Sequence, residues 1–371
     1  MRDRASHGSN ASLLRLFSVD YATARERFRQ AAALAGWSLV SHETGETAPG
    51  GTPLTVDVAE SEPAGADRPT LILSSGLHGV EGHFGSAVQL AALGKLVTDR
   101  TWGRNLRCVF VHALNPYGFA WSRRCDARNV DLNRAFRWSG MAESPPDDAY
   151  RRIDGLLNPR RPPSADLFGP RLVAAALRFG PATLKRTIAS GQRSHPKGLF
   201  YAGAEPPPLQ GLLARELPQW IGRASTVVHL DLHTGLGQSG DATLIVDYPM
   251  TDELRAWWRR TFGHTMISEP LLDPKAYTAS GGLGQWCVSR ELAPRYLFAF
   301  AEFGTFGGAR VLAALRAENQ AHHWADASDP VVARSKARLR EAFCPADPSW
   351  RLRAVQRAME LIGRGAGTPW T

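Results

Sequence analysis

Two short runs, TLILSS over residues 70–75 and RCVFVHAL over residues 107–114, carry unbroken apolar stretches at their centres, LIL and CVFV. A strand wetted on one side alternates polar and apolar residues, so runs like these belong to a sheet covered on both faces. Similar runs recur near Leu54–Ala59, Val227–Leu232, Thr243–Tyr248 and Leu297–Glu302. Helical apolar spacing falls at about Tyr21–Trp37, Gly82–Val97, Leu209–Arg223, Thr251–Phe262, Gly308–His323 and Pro330–Phe343. That succession predicts an α/β fold, a helix–sheet–helix sandwich with a largely parallel or mixed sheet.

The rhythm breaks between about residues 139 and 208, where proline and arginine accumulate around one helical stretch, Arg171–Ala189. With so few strand runs this reads as an insertion, and long connections of this kind often cover an active site. The expected organisation is a flexible segment over 1–16 and one catalytic domain over 17–371 carrying the insertion. With 371 residues and 43% hydrophobic content, the chain can bury a single large core.

The formal charge of +9 raises the question of an anionic partner. The basic residues are mostly arginine, spread along the chain, and no basic run is interleaved with aromatics, so no nucleic-acid partner is expected. No stretch approaches the roughly 20 apolar residues of a membrane span, and Met1–Ser12 lacks the apolar centre of a signal peptide. Cys108, Cys125, Cys287 and Cys344 show no metal-binding spacing. These features lead us to expect a cytoplasmic protein with free thiols.

Chemistry gathers where the strands run out, the place where α/β folds bind ligands. After TLILSS come His78 and Glu81 in the glycine-flanked sequence HGVEG, on the turn into the next helix. Two ligands are not a site, since a catalytic zinc takes about three and leaves a position for water. The third is expected from VVHLDLHTG, where period-two alternation puts His229, Asp231 and His233 on one face and His233 at the strand's carboxyl end. Farther on, Asp131-Leu132-Asn133-Arg134 follows the turn sequence NPYG; the Arg fork with the Asn amide suits a substrate carboxylate, although on this cluster alone a surface Arg with a capping Asp and Asn is the simpler reading. Glu302 closes the apolar run YLFAFAE, where burying a carboxylate is costly unless it is paired or functional, and a general base is the functional reading.

Taken in order, HxxE, NPxG, an arginine ahead of DxNR, DLHTG and a late glutamate resemble the zinc metallocarboxypeptidases, including the succinylglutamate desuccinylase and aspartoacylase branch. The texture is nearest a bacterial carboxypeptidase-like group of unassigned substrate, and the likeness runs from about Phe17 to Phe343. It implies a mixed eight-stranded sheet flanked by helices, and one Zn2+ per chain held by His78, Glu81 and His233. It further implies that Asp131 orients His78, that Asn133 and Arg134 hold the substrate carboxylate, and that Glu302 is the general base. Arg124 best matches the arginine that polarises the scissile carbonyl, with Arg123 and Arg128 as alternatives. The segment YTASGGLGQW is similar to the family's substrate-capping stretch, making Tyr277 the mobile phenol and placing Gly284 near the floor of the side-chain pocket.

The implied activity is hydrolysis of an amide or peptide bond beside a free carboxylate, on a small peptide or an N-acyl amino acid. Peptidase and deacylase both need the Asn133–Arg134 pair, so the motifs do not separate them. A non-catalytic binding protein that kept the pocket is the alternative of another class.

Overall fold

The apolar runs form the centre of one eight-stranded mixed sheet. The computed structural model describes residues 10–61, 68–99, 101–103, 105–141, 147–263, 267–272 and 280–367. The strands are β1 (Ser38–Thr47), β2 (Pro53–Glu60), β3 (Thr70–Ser75), β4 (Arg107–His112), β5 (Thr226–Ser239), β6 (Ala242–Ile245), β7 (Ile267–Ser268) and β8 (Arg295–Gly304), in the order β1-β2-β4-β3-β5-β8-β6-β7. Neighbours among β4, β3, β5 and β8 are parallel, while β1, β2 and β6 add antiparallel pairings toward the edges. Every residue of β3 is buried, as a strand covered on both faces requires.

The flanking helices are α1 (Tyr21–Leu34), α2 (Gly82–Thr98), α3 (Asp148–Leu157), α4 (Phe168–Phe179), α5 (Pro181–Ala189), α6 (Pro208–Ile221), α7 (Asp252–Phe262), α8 (Leu283–Ser289), α9 (Gly308–Trp324), α10 (Pro330–Phe343) and α11 (Pro348–Gly367). Among the described residues, no helix is long and apolar enough to cross a membrane.

From β3 the chain crosses by α2 to β4 on one side, whereas β5 lies on β3's other side. The β3/β5 boundary is therefore a switch point, where divergent connections open a crevice at the strands' carboxyl ends. Sequence spacing ends the fifth strand near Leu232, but β5 continues through Ser239 because β8 supplies ladder partners as far as Gly304, across an irregularity between Gly235 and Ser239. His233 thus sits within a paired strand, opposite Glu302 in the β5/β8 register.

Between 139 and 208 the chain adds α3, α4 and α5. The one helical stretch expected over 171–189 is two helices, broken at Gly180 (φ +81°), with Pro181 opening the second where its missing N–H costs nothing. Tyr150, Ile153, Leu157, Leu184 and Ile188 share an apolar cluster with Leu315, Leu339 and Phe343 of α9 and α10.

The turn after β3 depends on a close backbone approach. A Cβ on Gly79 would stand 2.1 Å from the carbonyl carbon of Gly118, in the short helix Pro116–Ala120. Asn115 caps that helix by accepting from the Gly118 N–H at 2.8 Å, and the Gly79 and Val80 N–H groups donate to the carbonyls of Arg124 and Arg123. The NPYG sequence is thus the support on which the HGVE turn rests. Gly79→Ala should destabilise the protein by about 1–3 kcal/mol, the usual cost of overpacking, read as a lower urea midpoint at unchanged m-value.

Candidate metal centre

His78 leaves the end of β3 in extended conformation and precedes the 3-10 turn Gly79–Glu81, which aims Glu81 back across the sheet ends. His233 comes from the neighbouring β5. One donor atom each from His78, Glu81 and His233 lie within 4.8 Å of one another, and all three residues are buried. The Glu81 carboxylate sits between the two rings, its Oε1 3.0 Å from His78 Nδ1 and its Oε2 3.3 Å from His233 Nδ1.

The far side of each ring is also held. His78 Nε2 is 3.2 Å from Asp131 Oδ1, and His233 Nε2 is 2.5 Å from Asp231 Oδ2. Asp131 and Asp231 thus hold the Nε2 side of the two rings, and both Nδ1 atoms are turned toward Glu81. Such carboxylate partners fix ring orientation and raise ligand basicity in metal sites. Two oriented imidazole nitrogens and a carboxylate fit a divalent transition metal.

Behind His233 the support continues. Ser74, opposite Asp231 in the β3/β5 register, donates to Asp231 Oδ1 at 2.6 Å and stands 2.8 Å from His229 Nε2, whose Nδ1 is 2.9 Å from the Tyr296 hydroxyl. Alternation along β5 had placed His229, Asp231 and His233 together without giving Asp231 a task.

The arginines separate by direction. Arg123 is buried and points away, donating from Nε to Glu318 on α9 at 2.9 Å and from Nη2 to Asn129. Arg128 is half exposed and pairs with Asp126. Arg124 lines the cavity; its Nε donates to Asp131 Oδ2 at 2.9 Å, its Nη1 is 3.6 Å from Glu81 Oε1, and its guanidinium lies over the Phe200 ring. Burial opposes its charge, but Asp131 and Glu81 outweigh that and hold it firmly protonated.

Glu302 reaches the same space from β8, its Oε1 accepting from the Leu236 N–H at 2.8 Å. Burial, and then the charge of Glu81, push its carboxyl up to about 7. A carboxyl poised there exchanges protons near neutral pH. Glu81 behaves oppositely: burial would raise it, but His78 and His233 hold it well below the usual carboxylate range.

The cavity holds about 820 Å³ and is also lined by Asn133 and Arg134. Asn133 Oδ1 accepts from the Leu283 N–H at 3.1 Å. Arg134 donates from Nε to the carbonyl of Ala189 and from Nη1 to that of Asn133, both at 2.9 Å, so the insertion's last helix is tied to it. Asp247 is a lining residue that sequence reasoning did not single out, although an acid in the apolar run TLIVDYP was a visible signal. Burial pushes its carboxyl up to about 7, and its Oδ1 has no hydrogen-bond partner among the described residues. Gly284 backs onto it: a Cβ there would stand 2.4 Å from that Oδ1 and 2.6 Å from the Phe298 ring. Tyr277 lies outside the described residues.

A family described as "Protein of unknown function (DUF2817)" matches residues 17–357. The chain belongs to the DUF2817 family. No curated protein matches this DUF2817 chain. Among solved structures it is similar to the carboxypeptidase A from Helicoverpa armigera, with 16% identity, 87% of this chain and 73% of that one covered, and a TM-score of 0.47. It is also similar to bovine thrombin-activatable fibrinolysis inhibitor, with 13% identity, 85% and 95% covered, and a TM-score of 0.44. For the murein-tripeptide amidase MpaA from Escherichia coli O157 the figures are 16% identity, 76% and 92% covered, and a TM-score of 0.37.

Proposed function

We propose that this protein is a zinc-dependent hydrolase of metallocarboxypeptidase type, cleaving an amide or peptide bond beside a free carboxylate. The observation that carries the reading is the pair of imidazoles whose Nε2 atoms are fixed by Asp131 and Asp231, so that their Nδ1 atoms face one carboxylate, with Glu302 on the adjoining strand. His78, Glu81 and His233 would hold the zinc, which when bound acts as a Lewis acid and brings the pKa of water toward about 7.

The chain's own residues do the rest. Glu302 takes the proton from the attacking water and returns it to the leaving nitrogen. Arg124, kept charged by its two acidic neighbours, donates to the carbonyl oxygen as negative charge develops there. Asn133 and Arg134 hold the substrate's carboxylate, which sets the distance from that carboxylate to the bond cleaved. The test is amine release from a panel of dipeptides and N-acyl amino acids by the zinc-loaded protein. Cleavage abolished by chelation and restored by zinc is expected; no cleavage across the panel would refute the reading.

The clamp has its own test. Arg134→Met should lower kcat/KM on substrates with a free α-carboxylate by roughly ten to a hundredfold more than on the matching amides. That is the worth of a charge-assisted hydrogen bond, about 1.5–3 kcal/mol. Arg134→Lys should not restore the difference, because an ammonium cannot reproduce the two-point fork. Equal losses on both substrate types would show that Arg134 serves only to tie down Ala189.

A further inference from the structure

The cavity's walls differ in chemistry. One side is polar: Asn133 and Asp247 meet around Gly282, whose absent Cβ would stand 2.6 Å from Asp247 Oδ2 and 3.5 Å from Asn133 Oδ1. The other side is built by the insertion and the two helices it packs on. Leu172 of α4, Leu184 and Ile188 of α5, Leu312 and Leu315 of α9 and Phe343 of α10 all line the cavity; Leu184, Ile188, Leu315 and Phe343 belong to one buried apolar cluster, and Leu172 and Leu312 pack against it. This wall reaches the reacting groups, because a Cβ on Gly235 would lie 3.1 Å from the Phe343 ring and 3.7 Å from Glu302 Oε1. Where this wall meets the polar side, Arg134 is bonded to the Ala189 carbonyl and Arg124 lies over Phe200, and Lys185 and Gly307 to Ala309 are exposed.

We infer that the acyl side of the substrate is an extended hydrocarbon chain lying against this apolar wall, so that the protein deacylates N-fatty-acyl amino acids and is not a peptidase. The inference rests on the hydrolase reading above. A peptide entering the same space would bring backbone N–H and C=O groups that need partners. The wall offers leucine, isoleucine and phenylalanine side chains on helices, whose interior backbone groups are already bonded within the helix. Each unpaired polar group is costly to bury, whereas each methylene gains from burial. The volume of about 820 Å³ lies toward the upper end of the roughly 300–1,000 Å³ usual for small-molecule sites, leaving room for a chain besides the amino acid. The reaction adds one water: its oxygen bonds to the acyl carbon, the C–N bond breaks, and the nitrogen leaves with a proton as the free amino acid.

The test is a chain-length series, acetyl, butanoyl, octanoyl and dodecanoyl, on alanine, glutamate, lysine and phenylalanine, with N-succinyl amino acids and N-alanyl dipeptides alongside. For the zinc-loaded protein, kcat/KM should rise by about fourfold per methylene until the cavity is filled, exceeding a hundredfold from acetyl to octanoyl. Leu312→Trp, which narrows the cavity, should cut the dodecanoyl-to-acetyl ratio by at least about thirtyfold. Independently of turnover, metal-free protein should bind N-dodecanoyl-alanine at least about a hundredfold more tightly than N-acetyl-alanine by calorimetry. Cleavage that is flat with chain length, or best on succinyl or dipeptide substrates, would overturn the hydrocarbon wall and leave the hydrolase standing. No cleavage but chain-length-dependent binding would do the reverse, and equal binding of the two ligands would also overturn the inference.

Discussion

Glu302→Gln is expected to lower kcat by about 10²–10⁴ while leaving metal content and thermal midpoint close to those of the native protein. The substitution keeps the size of the side chain and an oxygen that can accept from the Leu236 N–H, so the β5 irregularity loses little support. What it removes is the ability to take and return a proton. The pH profile gives the sharper readout. A general base must be ionised to act, so kcat/KM should rise with pH through the Glu302 pKa and then level off. In the metal-free chain that pKa is pushed up to about 7, by burial and then by Glu81. A bound cation pulls it downward, so the acid limb should appear at or below about 7. The limb should vanish in Glu302→Gln. A mutant that keeps full rate, or that loses its metal, would take the base role away from Glu302.

His233→Ala and His78→Ala should each strip the metal, taking zinc from about one per chain to a small fraction after gel filtration, because a three-ligand site loses its closure when one ligand goes. Activity should fall with the metal. The carboxylates behind the rings should give a graded version of the same result. Asp231 holds His233 Nε2 at 2.5 Å and is itself held by Ser74, so Asp231→Asn should weaken zinc binding by about 10–100-fold without abolishing it. Asp131→Asn should do likewise and should also disturb Arg124, which shares that carboxylate with His78. Stoichiometric zinc in both histidine mutants would end the assignment, since no other described His, Cys, Asp or Glu group gathers in the same way.

Much of this architecture could be read from the chain alone, for definite reasons. Apolar runs declared the covered central strands, because burial on both faces admits a polar side chain only where it is hydrogen-bonded, as Ser74 and Asp231 are. The edges escaped that logic. β1 is half exposed and mostly polar, and the sequence after Leu34 offered no strand pattern strong enough to separate it from the preceding helix. α11 went unassigned, although Trp350, Ala354, Val355, Ala358, Leu361 and Ile362 form its buried stripe.

By itself, the sequence determined which residue types stand at the strand ends: HGVE, DLHTG, DxNR and the glutamate closing the last apolar run, in an order that resembled one family. The tertiary structure alone decided how they meet. Strand order put β3 beside β5 and β5 beside β8, which brings residues 155 positions apart (78 and 233) to a common point and sets Glu302 opposite His233. Arg123 and Arg124 are adjacent in sequence, yet one turns to Glu318 on α9 and the other to Asp131 beside His78. Asp231 and Asp247 acquired their places in the same way, because a carboxylate's partners depend on what the neighbouring strand and the packed glycines present to it, and no local pattern encodes that.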